Sequence, residues 1–137
     1  MEGKASAGDA EAPDGRPPHP LFGGWSATRW EYTSLAAPQR IVDVVTDLGG
    51  SVALSLTATA FILAFDVAGR GKHSVAGTCE VRGDELWLRH EGPDRAERVA
   101  FHLAGDTLSL GSGASGWDFD GTGREQSATF VAVLVRL

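Results

Sequence analysis

The chain has 137 residues, of which 42% are hydrophobic, and this is enough for one domain with one core. Its formal net charge of −6 argues against nucleic acid or an anionic membrane surface as the main partner, because both are negatively charged. A single cysteine, Cys79, excludes an intrachain disulfide, and no apolar run is long enough for a transmembrane helix or membrane insertion.

The first 20 residues differ in composition from the rest of the chain. The segment MEGKASAGDAEAPDGRPPHP is rich in Gly, Ala, Pro and charge, which predicts a disordered tail before one domain at 21–137. It lacks the apolar stretch of a signal peptide, which predicts a cytoplasmic protein if this N-terminus is the natural one. If a signal was removed, export stays open.

From Leu21 onward, short alternating segments are separated by turns that contain glycine. In SVALSLT and RVAFHLA, every second residue is apolar, which is typical of a strand with one buried face. The segment APQRIVDVVTDL has helical spacing as well, but its β-branched residues favour a strand. The predicted strands span 24–34, 40–47, 51–57, 60–67, 73–82, 85–91, 96–104, 107–111, 115–120 and 127–137.

One short unit occurs twice, as GDELWL at 83–88 and as GDTLSL at 105–110. Each Gly-Asp pair predicts a tight turn that opens an outgoing strand, as in a meander of hairpins. Sequential hairpins along the chain favour an all-β fold, an antiparallel up-and-down barrel of about eight to ten strands without open edges. A β-sandwich is the alternative.

The beginning of the first predicted strand resembles the Gly-x-Trp signature of lipocalins, in Gly23-Gly24-Trp25. In that superfamily the Trp closes the bottom of the barrel beneath a basic residue of the last strand, and Arg136 matches this position. The stretch 21–137 also resembles a bacterial lipocalin-like domain family, in GWSATRWEYTS, VDVVTDLGGSVALSL and WDFDGTGREQSATFVAVLVR. The resemblance implies a lipocalin-like barrel that binds a small, largely apolar molecule in its interior.

The first strand leaves two interpretations open for a charged pair. Alternation places Arg29 and Glu31 on the same face as Trp25, and if that face is the inner one, the pair forms a polar anchor inside the barrel. Arg29 would then hold a carboxylate or enolate oxygen, and Glu31 would serve as a general acid or base. In the opposite register, Trp30 and Tyr32 are core residues and the charged pair lies in solvent.

The predicted site combines this pair with aromatic walls and a histidine. The residues expected to contact the ligand are Trp25, Arg29, Glu31, Phe61, Phe65, His90, Phe101 and Phe130. The alternative is a cofactor-independent cyclase or isomerase of natural-product biosynthesis, which would act on a polyene or polyketide-like substrate through Glu31 and Arg29. A third class is a structural or partner-binding module with a packed barrel.

Two further stretches carry weaker hypotheses. DFDGTG resembles the start of a calcium loop, with Asp118, Asp120 and Glu125 as candidate ligands, but its twelfth position is Thr129 rather than the Glu of an EF-hand, and a turn is favoured. No Cys/His cluster, P-loop or dinucleotide fingerprint occurs, so neither a metal nor a cofactor is expected. Trp87 is a candidate contact in a homodimer.

Overall fold

The computed structural model of the chain describes residues 19–91 and 95–137, with only the backbone for Arg95. The predicted tail lies outside these residues apart from its last two positions, so its disorder stays a prediction. The described part is all β, and none of it belongs to a helix long and apolar enough to span a bilayer. Its strands are β1 (Gly23–Ser34), β2 (Ile41–Asp43), β3 (Ser51–Leu56), β4 (Ala60–Val67), β5 (Gly71–Arg82), β6 (Glu85–His90), β7 (Arg95–Ala104), β8 (Thr107–Trp117) and β9 (Gln126–Arg136).

Eight of these strands close into an antiparallel up-and-down barrel. From β3 to β9 each strand pairs with the next, while β1 pairs with β3 near its beginning and with β9 along its length. The short β2 is an extra strand that pairs with the end of β1, where Thr33 faces Ile41. The predicted barrel is confirmed, and the sandwich alternative is wrong. We call the end where β1 begins the lower end and the end at Ser34 the upper end.

Two predicted strands differ from the observed ones for local reasons. The strands predicted at 107–111 and 115–120 are parts of one strand, β8, which ends at Trp117, because a bulge between Ser112 and Ser115 shifts the register without ending the strand. The strand predicted at 40–47 ends at Asp43, whose carboxylate accepts the backbone N–H groups of Val45 and Thr46 and turns the chain.

Both Gly-Asp pairs form the predicted turns. Arg82 pairs with Glu85 across one turn, and the second turn joins β7 to β8 in the same way. Gly83 and Gly105 have φ angles of 63° and 61°, in the left-handed region that side chains disfavour. The repeated glycine therefore meets the backbone requirement of a two-residue hairpin loop.

Trp25 closes the lower end of the barrel. Its side chain is fully buried, and its Nε1 donates a hydrogen bond to the Leu21 carbonyl over 3.0 Å. The Arg136 guanidinium carbon lies 4.0 Å from the centroid of the Trp25 ring, and Arg136 Nη1 donates to the Phe22 carbonyl over 2.8 Å. The contact between Trp25 and a basic residue of the last strand, which the lipocalin resemblance implied, is confirmed.

A bulge in β1 reverses the alternation of that strand. Ala27 faces Leu134 and Arg29 faces Val133, so Thr28 is an extra residue without a place of its own in the ladder. Beyond Thr28 the inner and outer faces of the strand are exchanged. Residues of odd number point inward before the bulge, and residues of even number point inward after it.

Candidate functional site

The interior of the barrel contains a partly open cavity of about 140 Å³ between Trp25 and the upper end. Its wall is mostly apolar, and the aromatic side chains in it are Trp30, Tyr32, Phe61, Phe65, Trp117 and Phe130. A cavity of roughly 150 Å³ with an apolar lining holds one benzene-sized ring. The space therefore suits a small molecule with a single ring or a short chain.

Contacts between aromatic rings fix the shape of one side of this cavity. The rings of Tyr32 and Trp117 are stacked, with centroids 4.8 Å apart and an interplanar angle of 11°. Trp30 Nε1 donates to the Tyr32 hydroxyl over 2.9 Å, and the Trp30 ring lies 4.6 Å from that of Phe130. Because each ring is held by another, this side of the cavity is formed before any ligand binds.

Two polar side chains reach the cavity from β6 and β7. His90 Nε2 lies 3.7 Å from Glu97 Oε1, and the two side chains are only 13% and 11% exposed. Both lie on the inner face, because the register places Leu88 opposite Glu97 and His90 two positions beyond Leu88. An imidazole and a carboxylate therefore stand beside an apolar space, the usual composition of a small-molecule site.

The indole N–H of Trp117 is a third polar group in the wall. Trp117 is 8% exposed, and its Nε1 donates to no acceptor among the described residues. A buried donor without a partner costs about 1–3 kcal/mol. An acceptor on a bound molecule would remove this cost, so the cavity offers a hydrogen bond as well as apolar contact.

Glu125 contributes to the wall of the cavity beside β8, although the residue as a whole is exposed. Within the described residues, β7 and β8 pair only as far as Ala100 and Gly111, although both strands continue toward the upper end. Glu125 Oε1 lies 2.7 Å from the point that a Cβ of Gly116 would occupy. Because residue 116 has no side chain, the carboxylate of Glu125 can lie against β8 and line the cavity.

Two arginines hold the loop that follows β8 over the upper end. Arg70 Nη1 donates to the Asp118 carbonyl over 3.0 Å, and Arg40 Nη2 donates to Asp120 Oδ1 over 2.6 Å. The backbone N–H of Gly123 lowers the pKa of Asp118, and the Arg40 guanidinium lowers that of Asp120. Both carboxylates are thus engaged by donors of this chain.

The calcium hypothesis finds no support in this geometry. Among the described residues, no group of three His, Cys, Asp or Glu side chains is placed to hold a metal ion. Asp118 accepts backbone N–H groups of its own turn. DFDGTG forms the turn that the sequence favoured, and calcium binding there stays a prediction.

The predicted contact residues fall into three groups. Phe61, Phe65, His90 and Phe130 line the cavity, and their contact with a ligand stays a prediction. Trp25 and Phe101 also belong to the interior, but they fill it near the lower end, where the Phe101 ring lies 6.0 Å from that of His19. Arg29 and Glu31 form the third group and lie outside.

The inward orientation of Arg29 and Glu31 is wrong. The bulge at Thr28 turns both side chains to the outer face, where Arg29 Nη2 and Glu31 Oε1 are 2.8 Å apart and the side chains are 50% and 23% exposed. Trp30 and Tyr32 point inward instead and are buried. Neither member of the charged pair lines the cavity.

Glu97 and Trp117 were missed as site residues, although the sequence held a signal for one of them. RVAFHLA places Val99 and Phe101 on the inner face, and extending the same alternation back by two residues places Glu97 there as well. Trp117 had no such signal, because the bulge in β8 separates it from the regular part of the strand.

Trp87 lies half-buried on the outer face of β6. The guanidinium carbons of Arg82 and Arg98 lie 4.2 and 5.5 Å from the centroid of its ring. Side chains of the same chain thus cover the ring in part, and its role in a homodimer stays a prediction.

We expect Glu31→Gln to leave the fold and the cavity unchanged. Exposed ion pairs contribute about 0–1 kcal/mol to stability, so the free energy of unfolding measured with urea should fall by less than about 1 kcal/mol. A loss of more than about 2 kcal/mol would show instead that Glu31 is a buried group whose partner is essential.

Comparisons with known proteins leave the family of this chain open. Protein-family models, curated protein sequences and solved structures gave no match. The closed antiparallel barrel agrees with the lipocalin-like architecture that the resemblance implied.

Proposed function

We propose that this protein binds a small, largely apolar molecule inside a lipocalin-like barrel. The observation that supports this most is the cavity of about 140 Å³, which has preformed aromatic walls and a buried indole N–H without an acceptor among the described residues. Membership of the lipocalin superfamily belongs to the same proposal. It is supported by the contact of Trp25 with Arg136 at the lower end.

The volume of the cavity limits the size and the affinity of the ligand. A molecule with about one ring has few heavy atoms, and even efficient ligands gain at most about 1.5 kcal/mol per atom, usually much less. We therefore expect dissociation constants between about 1 µM and 1 mM for single-ring compounds.

The same volume disfavours the cyclase or isomerase alternative. A polyene or polyketide-like substrate is several times larger than one ring, and the walls would have to move apart to admit it. Arg29 and Glu31, the residues assigned to that chemistry, lie on the outer face. An enzyme working in this cavity would depend on His90 and Glu97, the imidazole and carboxylate that face each other in its wall.

Binding can be tested with three single-ring probes, benzyl alcohol, benzylamine and benzoate. Trp30 and Trp117 lie in the wall, so their fluorescence should change when a probe enters, and the melting temperature should rise. Leu88→Trp places extra bulk in the cavity and should weaken binding by more than about tenfold, while overpacking costs about 1–3 kcal/mol of stability.

Ile62→Trp is the matched control. Ile62 is an apolar residue on the outer face, 52% exposed, so the same new side chain should leave binding unchanged. Val75→Phe is a second cavity variant in case Leu88→Trp does not fold. Absence of binding by all three probes, or equal binding by the wild type and both cavity variants, would contradict the proposed function.

A further inference from the structure

The charges around the cavity are unevenly distributed. Among the described side chains that line it, the carboxylates are Glu97 and Glu125, and the imidazoles are His73 and His90. None of these described side chains is a Lys or an Arg. Counted with neutral imidazoles, the formal charge of the described lining is negative.

Glu97 is the more buried of these two carboxylates, since Glu125 is an exposed residue. Its side chain is 11% exposed, and His90 Nε2 stands 3.7 Å from Oε1, beyond the usual length of an N–H···O hydrogen bond. A buried carboxylate is costly unless a charge or a set of donors compensates it. A cationic group of a ligand would provide this compensation from the cavity side.

The aromatic wall adds to the preference for a cation. The faces of Trp, Tyr and Phe rings attract ammonium groups within about 6 Å, by roughly 0.5–2 kcal/mol depending on solvent exposure. Trp30, Tyr32, Phe65 and Phe130 surround the same small space as Glu97. The overall charge of −6 would also favour the approach of a cation.

An independent observation shows that the cavity suits a molecule with polar groups rather than a hydrocarbon. Trp117 is more than nine-tenths buried and lines the cavity, and its Nε1 lacks an acceptor among the described residues. A ligand oxygen or unprotonated nitrogen would accept this hydrogen bond. Glu97 calls for a donor on the ligand, whereas the ring of an aromatic ligand offers Trp117 Nε1 only the weaker acceptor of a π face.

From these observations we infer that the cavity selects a small protonated amine with an apolar, ring-sized body, and that Glu97 is the counter-ion of its ammonium group. The inference rests on the proposed binding function and adds the charge of the ligand to it. The ammonium group lies against the Glu97 carboxylate, and the ring lies among the aromatic side chains. A carboxylate of the same size is repelled.

The affinities of benzylamine, benzyl alcohol and benzoate test this inference, because the three share a ring and differ in charge. At neutral pH we expect benzylamine to bind the wild-type protein at least about tenfold tighter than benzyl alcohol, as a charge-assisted hydrogen bond predicts. Benzoate should bind most weakly. The measurement on the wild type needs no variant, so it decides the question even if a variant fails to fold.

Glu97→Gln identifies the counter-ion. It should reduce the preference for benzylamine over benzyl alcohol to about twofold or less, while the affinity for benzyl alcohol stays within a similar factor. Glu31→Gln removes the same charge from the outer face and should keep the preference of the wild type. This control separates a local effect of Glu97 from a change in net charge.

The outcomes distinguish the inference from the function on which it rests. Equal binding of the three probes, tighter binding of benzoate, or an unchanged preference in Glu97→Gln would overturn the inference and leave the binding function standing. Absence of binding by all three would overturn both.

Discussion

Replacement of Trp25 by Ala is expected to lower the free energy of unfolding by about 3–5 kcal/mol, the range for deletion of a fully buried aromatic side chain. The Trp25 ring is the largest fully buried side chain in the described part of the chain. Its removal opens a void at the lower end, leaves the Leu21 carbonyl without its indole donor, and takes the ring from beneath the Arg136 guanidinium. All three effects destabilise the folded state.

Urea unfolding followed by circular dichroism measures this loss. Trp25→Phe is the matched control, because it keeps a ring beneath Arg136 and loses only part of the volume and the hydrogen bond to Leu21. We expect it to cost about 1–2 kcal/mol, clearly less than the Ala variant. If Trp25→Ala costs less than about 1 kcal/mol, the lower end is not closed by this residue.

The fold could be predicted because its signals are local and repeated. Alternation defined the faces of regular strands such as β3, and each Gly-Asp pair marked a two-residue turn, so the chain had to return on itself strand by strand. Closure followed from the need to cover sheet edges. Trp25 and Arg136 lie far apart in the sequence, so their contact was predicted only from the resemblance to lipocalins.

The site was harder to predict because bulges break the rule of alternation. One extra residue, Thr28, exchanges the inner and outer faces of the rest of β1. Arg29 and Glu31 therefore lie on the outer face and Tyr32 on the inner face, the reverse of what unbroken alternation predicts. Where no bulge intervenes, as between Val99 and Glu97 in β7, alternation gives the correct face. The volume of the cavity depends on how side chains from all eight barrel strands fill the interior, and no local pattern contains that information.

A Gly77→Ala variant is expected to fold poorly or to lose more than about 3 kcal/mol of stability, because a Cβ at this position has no room. It would lie 1.9 Å from the backbone oxygen of Arg89 and 3.0 Å from Cε1 of Phe61. The first of these atoms belongs to the backbone of β6, so relief requires β5 and β6 to move apart rather than a side chain to rotate.

Gly113→Ala is the matched control, because nothing lies within 4 Å of the position that its Cβ would occupy. Its free energy of unfolding should change by less than about 0.5 kcal/mol. Equal stability of the two variants would mean that β5 and β6 do not approach each other as closely as described.

The damage in Gly77→Ala should reach the cavity as well as the sheet. Gly77 faces His90 in the register of β5 and β6, and the close approach of the two backbones sets the position of the imidazole beside Phe61 and Glu97. Separation of the strands would move His90 away from the cavity. Under conditions where the variant still folds, we therefore expect weaker binding of all three single-ring probes, whereas Gly113→Ala should bind them as the wild type does.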